Sequence, residues 1–213
     1  RAVAFEGYRS IALDLRGHGE SDWAADGDYS LEAIARDLIE VGEHVARGGT
    51  RPHVVGASLG GLAAIVAAGM LSRDAFESVT LVDITPNMDA AGVTKVVGFM
   101  GAHVHEGFDS LEQAADVIAT YLPHRPRPKD LEGLRKNLRQ GEDGRWRWHW
   151  DPAFITGVMR RSGVAHTGDL EQAVRDIRVP LHLIRGRMSE LVSEDSVAAF
   201  RSLAPQAHYT DVA

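Results

Sequence analysis

Ser58 is the side chain best placed to do chemistry, because of what surrounds it. The run Val54-Val55-Gly56-Ala57-Ser58-Leu59-Gly60-Gly61 sets a glycine two residues before the serine and glycines two and three residues after it. In the pattern G-x-S-x-G a serine hydroxyl can act as a nucleophile, provided a strand ends before it and a helix starts after it. At such a corner the serine backbone is strained and its hydroxyl points off the sheet. Neighbouring side chains would clash, so glycine is expected on both sides. The N–H of Leu59, at the open and electropositive end of the helix, is then the first donor available to an oxyanion. A plain strand, glycine turn and buried helix would use the same residues, so the flanking elements decide.

Those elements are legible. Val54 and Val55 end an apolar run, and Leu62-Ala63-Ala64-Ile65-Val66-Ala67-Ala68 has the composition of a buried helix whose small residues let it lie close to a sheet. Upstream, Tyr8 to Asp14 turns apolar through Ile11, Ala12 and Leu13, which predicts a short buried strand. It leads into the polar loop Leu15-Arg16-Gly17-His18-Gly19-Glu20-Ser21-Asp22-Trp23. Open α/β sheets carry their sites in loops at strand C-terminal ends, so His18 is either a base or a residue that orders this loop. Ser30 is a good N-cap for a helix with Leu31, Ile34, Ala35, Leu38, Ile39 and Val45 on one face, closed by Gly48-Gly49. Val79 to Val82 is a further strand and delivers Asp83 at its end. Val179 to Arg185 is another, followed by the loop Gly186 to Glu190. Ser193 caps the next helix, and 207–212 begin a last strand. Strands alternating with helices predict an α/β fold, a mostly parallel sheet flanked by helices on both faces.

The stretch from Pro86 to about Ile177 breaks that rhythm. It is too long for a crossover and is expected to be an inserted, mostly helical cap. The organisation is thus a core of residues 1–85 and 178–213 with a cap of 86–177. Ser110-Leu111-Glu112-Gln113 is a capping box opening a helix that Pro123 ends. A Pro/Arg stretch through Arg125 and Pro128 follows, then a second helix over Leu131 to Leu138, then Trp146-Arg147-Trp148-His149-Trp150. Arg135, Lys136, Arg139, Arg145 and Arg147 read as a solvated face or as a preference for anionic substrates. The tryptophans read as cap core or pocket wall.

Composition removes several classes. The 213 residues carry a net charge of −7, so nucleic acid is not an expected partner. The hydrophobic fraction of 44% supports a real core, and no apolar run approaches a membrane span. Without cysteine there is no thiol nucleophile, disulfide or cysteine metal site. A metal centre would need His103, His105 and His149 to converge, which their spacing does not favour. The expectation is a protein that uses no cofactor or metal, acts on a small molecule and lives in the cytoplasm.

In this order, Asp14-Leu15-Arg16-Gly17-His18-Gly19-Glu20-Ser21, the corner around Ser58, Leu81-Val82-Asp83 and Leu183-Ile184-Arg185-Gly186-Arg187-Met188-Ser189-Glu190-Leu191-Val192 resemble the α/β-hydrolase fold family. The resemblance spans nearly the whole chain. It implies Ser58 as nucleophile of a Ser-His-acid triad. Glu190 lies in the loop where that family usually keeps its acid, and Asp83 ends the strand where some members keep it instead; Glu190 is preferred. The family's histidine would fall just past Ala213, and its second oxyanion loop before Arg1. Ala2 to Phe5 read as the end of a helix, so both ends look cut. The strand normally found between those of Tyr8 and Val54 would then also be missing. A gap of unpaired backbone is costly, so the isolated chain is expected to be poorly stable and inactive. What the resemblance implies is ester or related acyl hydrolysis. Ser58 argues against the branches that attack with aspartate, and a catalytically silent binding protein on the same fold is the alternative.

Overall fold

The computed structural model of the protein describes residues 6–46, 49–123, 126–127, 129–160 and 167–213. The expected helix end at Ala2 to Phe5, and Gly48, Arg125 and Pro128, lie outside the described residues. A parallel sheet of 4 strands forms the frame, in the order β1-β2-β5-β6. These strands are β1 His53–Ala57, β2 Ser78–Val82, β5 Leu181–Gly186 and β6 His208–Val212. The first helix, α1, is Leu31–Val45, and Ser30 caps it by accepting from Ala33 N. Helix α2 is Leu59–Val66 and runs on through a wider π turn, Ala67–Leu71. Two more helices, α6 (Thr167–Asp176) and α7 (Glu194–Leu203), complete this part.

Strand alternation sorts the sheet residues. Val54, Val79, Leu81, Leu181, Leu183 and Tyr209 meet α1, α2, α6 and α7 in one continuous core, where Ile65, Val79, Leu81, Leu170 and Leu183 are solvent-free. All these helices lie on that face. The expectation of helices on both faces is therefore met on one only among the described residues. The other face carries polar pairs instead. His53 Nδ1 lies 2.7 Å from Ser78 Oγ, and His182 Nε2 lies 2.9 Å from Thr210 Oγ1.

The structure corrects local expectations in this part of the chain. Tyr8 to Asp14 forms no strand: it is laddered to no strand of the sheet, whose edge on that side is β1, and Tyr8, Ile11 and Leu13 stay exposed. Helix α6, assigned to the cap from sequence, buries Leu170, Ala173 and Val174 in the main core.

The inserted region contains α3 (Ala90–Gly101), α4 (Leu111–Tyr121), a single 3₁₀ turn (Glu132–Lys136), a hairpin of β3 (Leu138–Gln140) with β4 (Trp146–Trp148), and α5 (Pro152–Arg160). Half of the capping box forms as expected, with Gln113 N donating to Ser110 Oγ at 3.2 Å, while Gln113 Oε1 accepts from Asp109 N, one residue before the N-cap, at 2.5 Å. The helix expected over Leu131 to Leu138 is instead the short turn and the first hairpin strand. The reason is the strict alternation Trp146-Arg147-Trp148, which puts both tryptophans against Phe108, Leu111, Ala114 and Leu138 and needs a strand partner. The four arginines of the basic cluster are paired in place. Arg135 pairs with Glu132, Arg139 with Glu20, Arg145 with Asp109 and Arg147 with Asp143, so these arginines form a solvated, paired surface.

Candidate active site

Ser58 sits on the corner between β1 and α2 at φ 48 and ψ −122. A positive φ is costly for any residue with a Cβ, and it persists only where the surroundings enforce it. Here the enforcement comes from the strand on one side and the helix on the other. Gly61 N and Leu62 N both bond back to the Ser58 carbonyl, at 2.9 and 3.1 Å. The hydroxyl makes no capping bond and the residue is exposed, so Oγ is available to a reactant.

The glycines divide unequally. A Cβ on Gly56 would run into the Gly60 carbonyl, and one on Gly61 into Ile84 and the Gly56 carbonyl. Gly60 has nothing within 4 Å of its would-be Cβ. Sequence reasoning asked for glycine at both flanks of the motif, yet sterically it is Gly56 and Gly61 that close the corner. Gly61→Ala is therefore expected to destabilise the protein by about 1–3 kcal/mol through overpacking. Gly60→Ala should be neutral or stabilising by up to about 1 kcal/mol, as expected for alanine replacing glycine in a helix. Urea unfolding of the two full-length variants checks the ordering.

The acids lie in unlike settings. Ala57 pairs with Val82, so Ser58 and Asp83 leave neighbouring strands at the same level, about 5 Å apart in the ladder direction. Asp83 also has a positive φ, 53, and its Oδ1 accepts from Gly186 N at 3.1 Å, linking the ends of β2 and β5. Gly186 in turn pairs with Val212, which brings the end of β6 to the same rim. Glu190 lies further out on the loop after β5. Its carboxylate is gripped by Lys95 of α3, at 2.7 and 2.8 Å, and is about half exposed. Lys95 also lies over the Tyr121 ring, 5.3 Å from its centroid.

The polar loop is tied to the inserted region beside the corner. His18 Nδ1 donates to the Arg16 carbonyl at 3.0 Å, so this imidazole orders its own loop. Gly19 N donates to the His149 carbonyl and Asp151 N to the Gly17 carbonyl, at 2.9 and 2.7 Å. Buried Tyr29 donates to Asp151, which is also buried; burial and this bond push the phenol up to about 12. His149 lies against Arg139 and is pushed below its ordinary value, by burial first and by that cation second. Above these ties, Tyr29, Val104, Phe154 and Ile155 form a small buried cluster, and Leu59 and Trp150 pack against it. Sequence reasoning missed this seam. Its one signal was a tyrosine before an N-cap and an aspartate before a proline, 122 positions apart, and no periodicity joins them.

His103 packs on Phe108 and His149 on Arg139. Among the described residues no group of three or more His, Cys, Asp or Glu could hold a metal ion, and no helix is long and apolar enough to cross a membrane.

Comparison with known proteins gives the corner its context. A family model described as the alpha/beta hydrolase fold matches residues 1–119. An esterase of Mycobacterium tuberculosis is 31% identical over 196 residues, 90% of this chain and 62% of that protein. The chain thus spans a little over three-fifths of that relative's length. The 2-(acetamidomethylene)succinate hydrolase of Mesorhizobium japonicum is 30% identical over 200 residues, covering 93% of this chain and 68% of the relative. A crystal structure of E-2-(acetamidomethylene)succinate hydrolase superposes with a TM-score of 0.72 at 27% identity, over 93% of this chain and 70% of the other.

Proposed function

Since this chain belongs to the α/β-hydrolase fold family, we propose that it acts as a serine hydrolase that cleaves a small-molecule ester, with Ser58 as nucleophile. One observation carries the reading. Ser58 is held at a positive φ, exposed, at the mouth of a helix, with its hydroxyl committed to no cap. Strain of this kind is retained where it aims a reacting group.

The sequence of events follows from the geometry. A histidine takes the Ser58 proton as Oγ attacks the ester carbonyl, and the N–H of Leu59 holds the developing oxyanion. The alcohol leaves with that proton, and water releases the acyl group by the same steps. We assign the histidine to the segment that follows β6, because that strand ends beside Gly186 and Gly186 N holds Asp83. Asp83 is then the acid that orients the imidazole. Its place level with Ser58, its strained backbone and its position between β2 and β5 favour it over Glu190, whose carboxylate Lys95 already engages. Names among the relatives that refer to esters and to an acetamido dicarboxylate are consistent with an activated carbonyl in the substrate.

The test is covalent labelling of the full-length protein with a fluorophosphonate. The adduct should map to Ser58. An adduct elsewhere, or none, would overturn the assignment and favour a binding protein without chemistry.

A further inference from the structure

The first turn of α2 is an intrinsically weak piece of helix. It opens with Leu59, Gly60 and Gly61, so two of its residues are poor helix formers and only Leu59 has a side chain to hold it by. The turn also follows a strained residue, Ser58 at φ 48 and ψ −122. Rotating the Ser58–Leu59 peptide would relieve that strain, and helix ends fray. The same rotation would re-aim the Leu59 N–H, the oxyanion donor of the reading above. Two holds oppose it from within. The Ser58 carbonyl accepts from Gly61 N and Leu62 N, and Gly61 packs closely on Gly56 and Ile84. Both act from Gly61 onward, whereas Gly60 has nothing within 4 Å of its would-be Cβ. The front of the turn therefore needs a hold from outside.

The Leu59 side chain has one. It packs against the buried cluster of Tyr29, Val104, Phe154 and Ile155. Three of these four belong to the inserted region: Val104 follows α3, and Phe154 and Ile155 lie on α5. The cluster is tied so that it yields little. Tyr29 donates to Asp151, whose Oδ1 accepts from Ala153 N at 2.8 Å in the first turn of α5. Asp151 N donates to the Gly17 carbonyl at 2.7 Å, and a Cβ on Gly17 would run into the Tyr29 ring. The Tyr29 and Phe154 rings meet edge-on, with centroids 6.0 Å apart. A close-packed interior passes a displacement on and does not absorb it. Where α5 and Val104 sit thus fixes where the Leu59 side chain sits.

We propose that Val104, Phe154 and Ile155 are positioning residues for the oxyanion donor: they grip the Leu59 side chain and so keep its backbone N–H aimed beside Ser58. The proposal rests on the serine-hydrolase reading and deepens it, since the inserted region then sets the rate of the chemical step. Loosening α5 turns the donor away and slows acyl transfer, while the ester still binds.

The experiment measures hydrolysis of 4-nitrophenyl butyrate by the full-length protein and by Leu59→Ala, Ile155→Ala and the double variant. Leu111→Ala, in the other buried cluster of the inserted region, controls for lost packing alone. Removing an oxyanion donor outright costs about 10²–10³ in kcat, so a donor left to drift should cost each single variant about tenfold to a hundredfold, with KM within about twofold. The double variant should be within about twofold of the slower single one, because both substitutions cut the same link. Fluorophosphonate labelling of Ser58 should slow by the same factor as kcat, since its phosphoryl oxygen needs the same donor. Leu111→Ala should keep kcat. Should Ile155→Ala not fold, Val104→Ala, a smaller truncation of the same seat, replaces it with a fall of about fivefold. A kcat that holds in the seat variants, a rise in KM in its place, effects that multiply in the double variant, or an equal fall in Leu111→Ala each overturns the proposal. Failure of the serine reading appears separately, as absent labelling of the protein with all these residues intact.

Discussion

Ser58→Ala in the full-length protein should lower ester turnover by about 10⁴-fold or more and abolish fluorophosphonate labelling, with native folding retained. Loss of a nucleophile from a positioned triad removes the covalent route, and what survives comes from binding and the oxyanion donors alone. A paired variant makes the result specific to the corner. Ser58 holds φ 48, a conformation glycine adopts without steric cost. Ser58→Gly should therefore be as inactive as Ser58→Ala but more stable than it, by about 1 kcal/mol from the relieved backbone strain. Kinetics on a chromogenic ester together with urea unfolding read both effects. Equal stability of the alanine and glycine variants would mean the corner is relaxed. Retained turnover in either would remove Ser58 from the chemistry.

That corner was also the most legible part of the sequence. A strand, a G-x-S-x-G turn and a helix of small residues are local features, and each states its geometry in a few consecutive positions. The N-caps at Ser30, Ser110 and Ser193 were readable for the same reason: a short polar side chain meets an N–H three residues on. What escaped depended on pairing between distant segments. Tyr8 to Leu13 has strand composition, but a strand exists only through its neighbours, and β1 presents an edge with no described partner. Val55 on that edge strand is 67% exposed. Trp146 to Trp150 reads as an aromatic patch, while the sign of the hairpin is its period of two. Chain order assigns helix α6 to the cap, whereas packing of Leu170 and Val174 puts it in the core. The Tyr29–Asp151 bond and the seam around Trp150 carry no sequence signal, since they arise only once cap and core meet.

The choice between the two acids is where sequence and geometry point apart, and it carries the second large effect. Sequence preferred Glu190 for its place in the loop after β5. In the structure its carboxylate is committed to Lys95, and with both partners more than two-fifths exposed that pair is a surface ion pair worth about 0–1 kcal/mol. Its work is to tie α3 of the cap to the core. The second tie there is Asp89 N on the Leu191 carbonyl, at 2.9 Å. Asp83 instead shares the rim with Ser58. Asp83→Asn should leave the fold and the Gly186 N–H bond in place, since an amide oxygen accepts as a carboxylate does. It should still cut kcat by about 10³–10⁴-fold, because the imidazole loses the charge that fixes its tautomer and stabilises its protonated form. Glu190→Gln should change kcat/KM by no more than about fivefold, and mainly through KM, as a loosened cap would. The two variants are compared on one ester at saturating and limiting concentrations. A thousandfold fall in Glu190→Gln with near-normal turnover in Asp83→Asn would return the acid to the loop after β5, and would mean that Lys95 releases Glu190 when substrate binds.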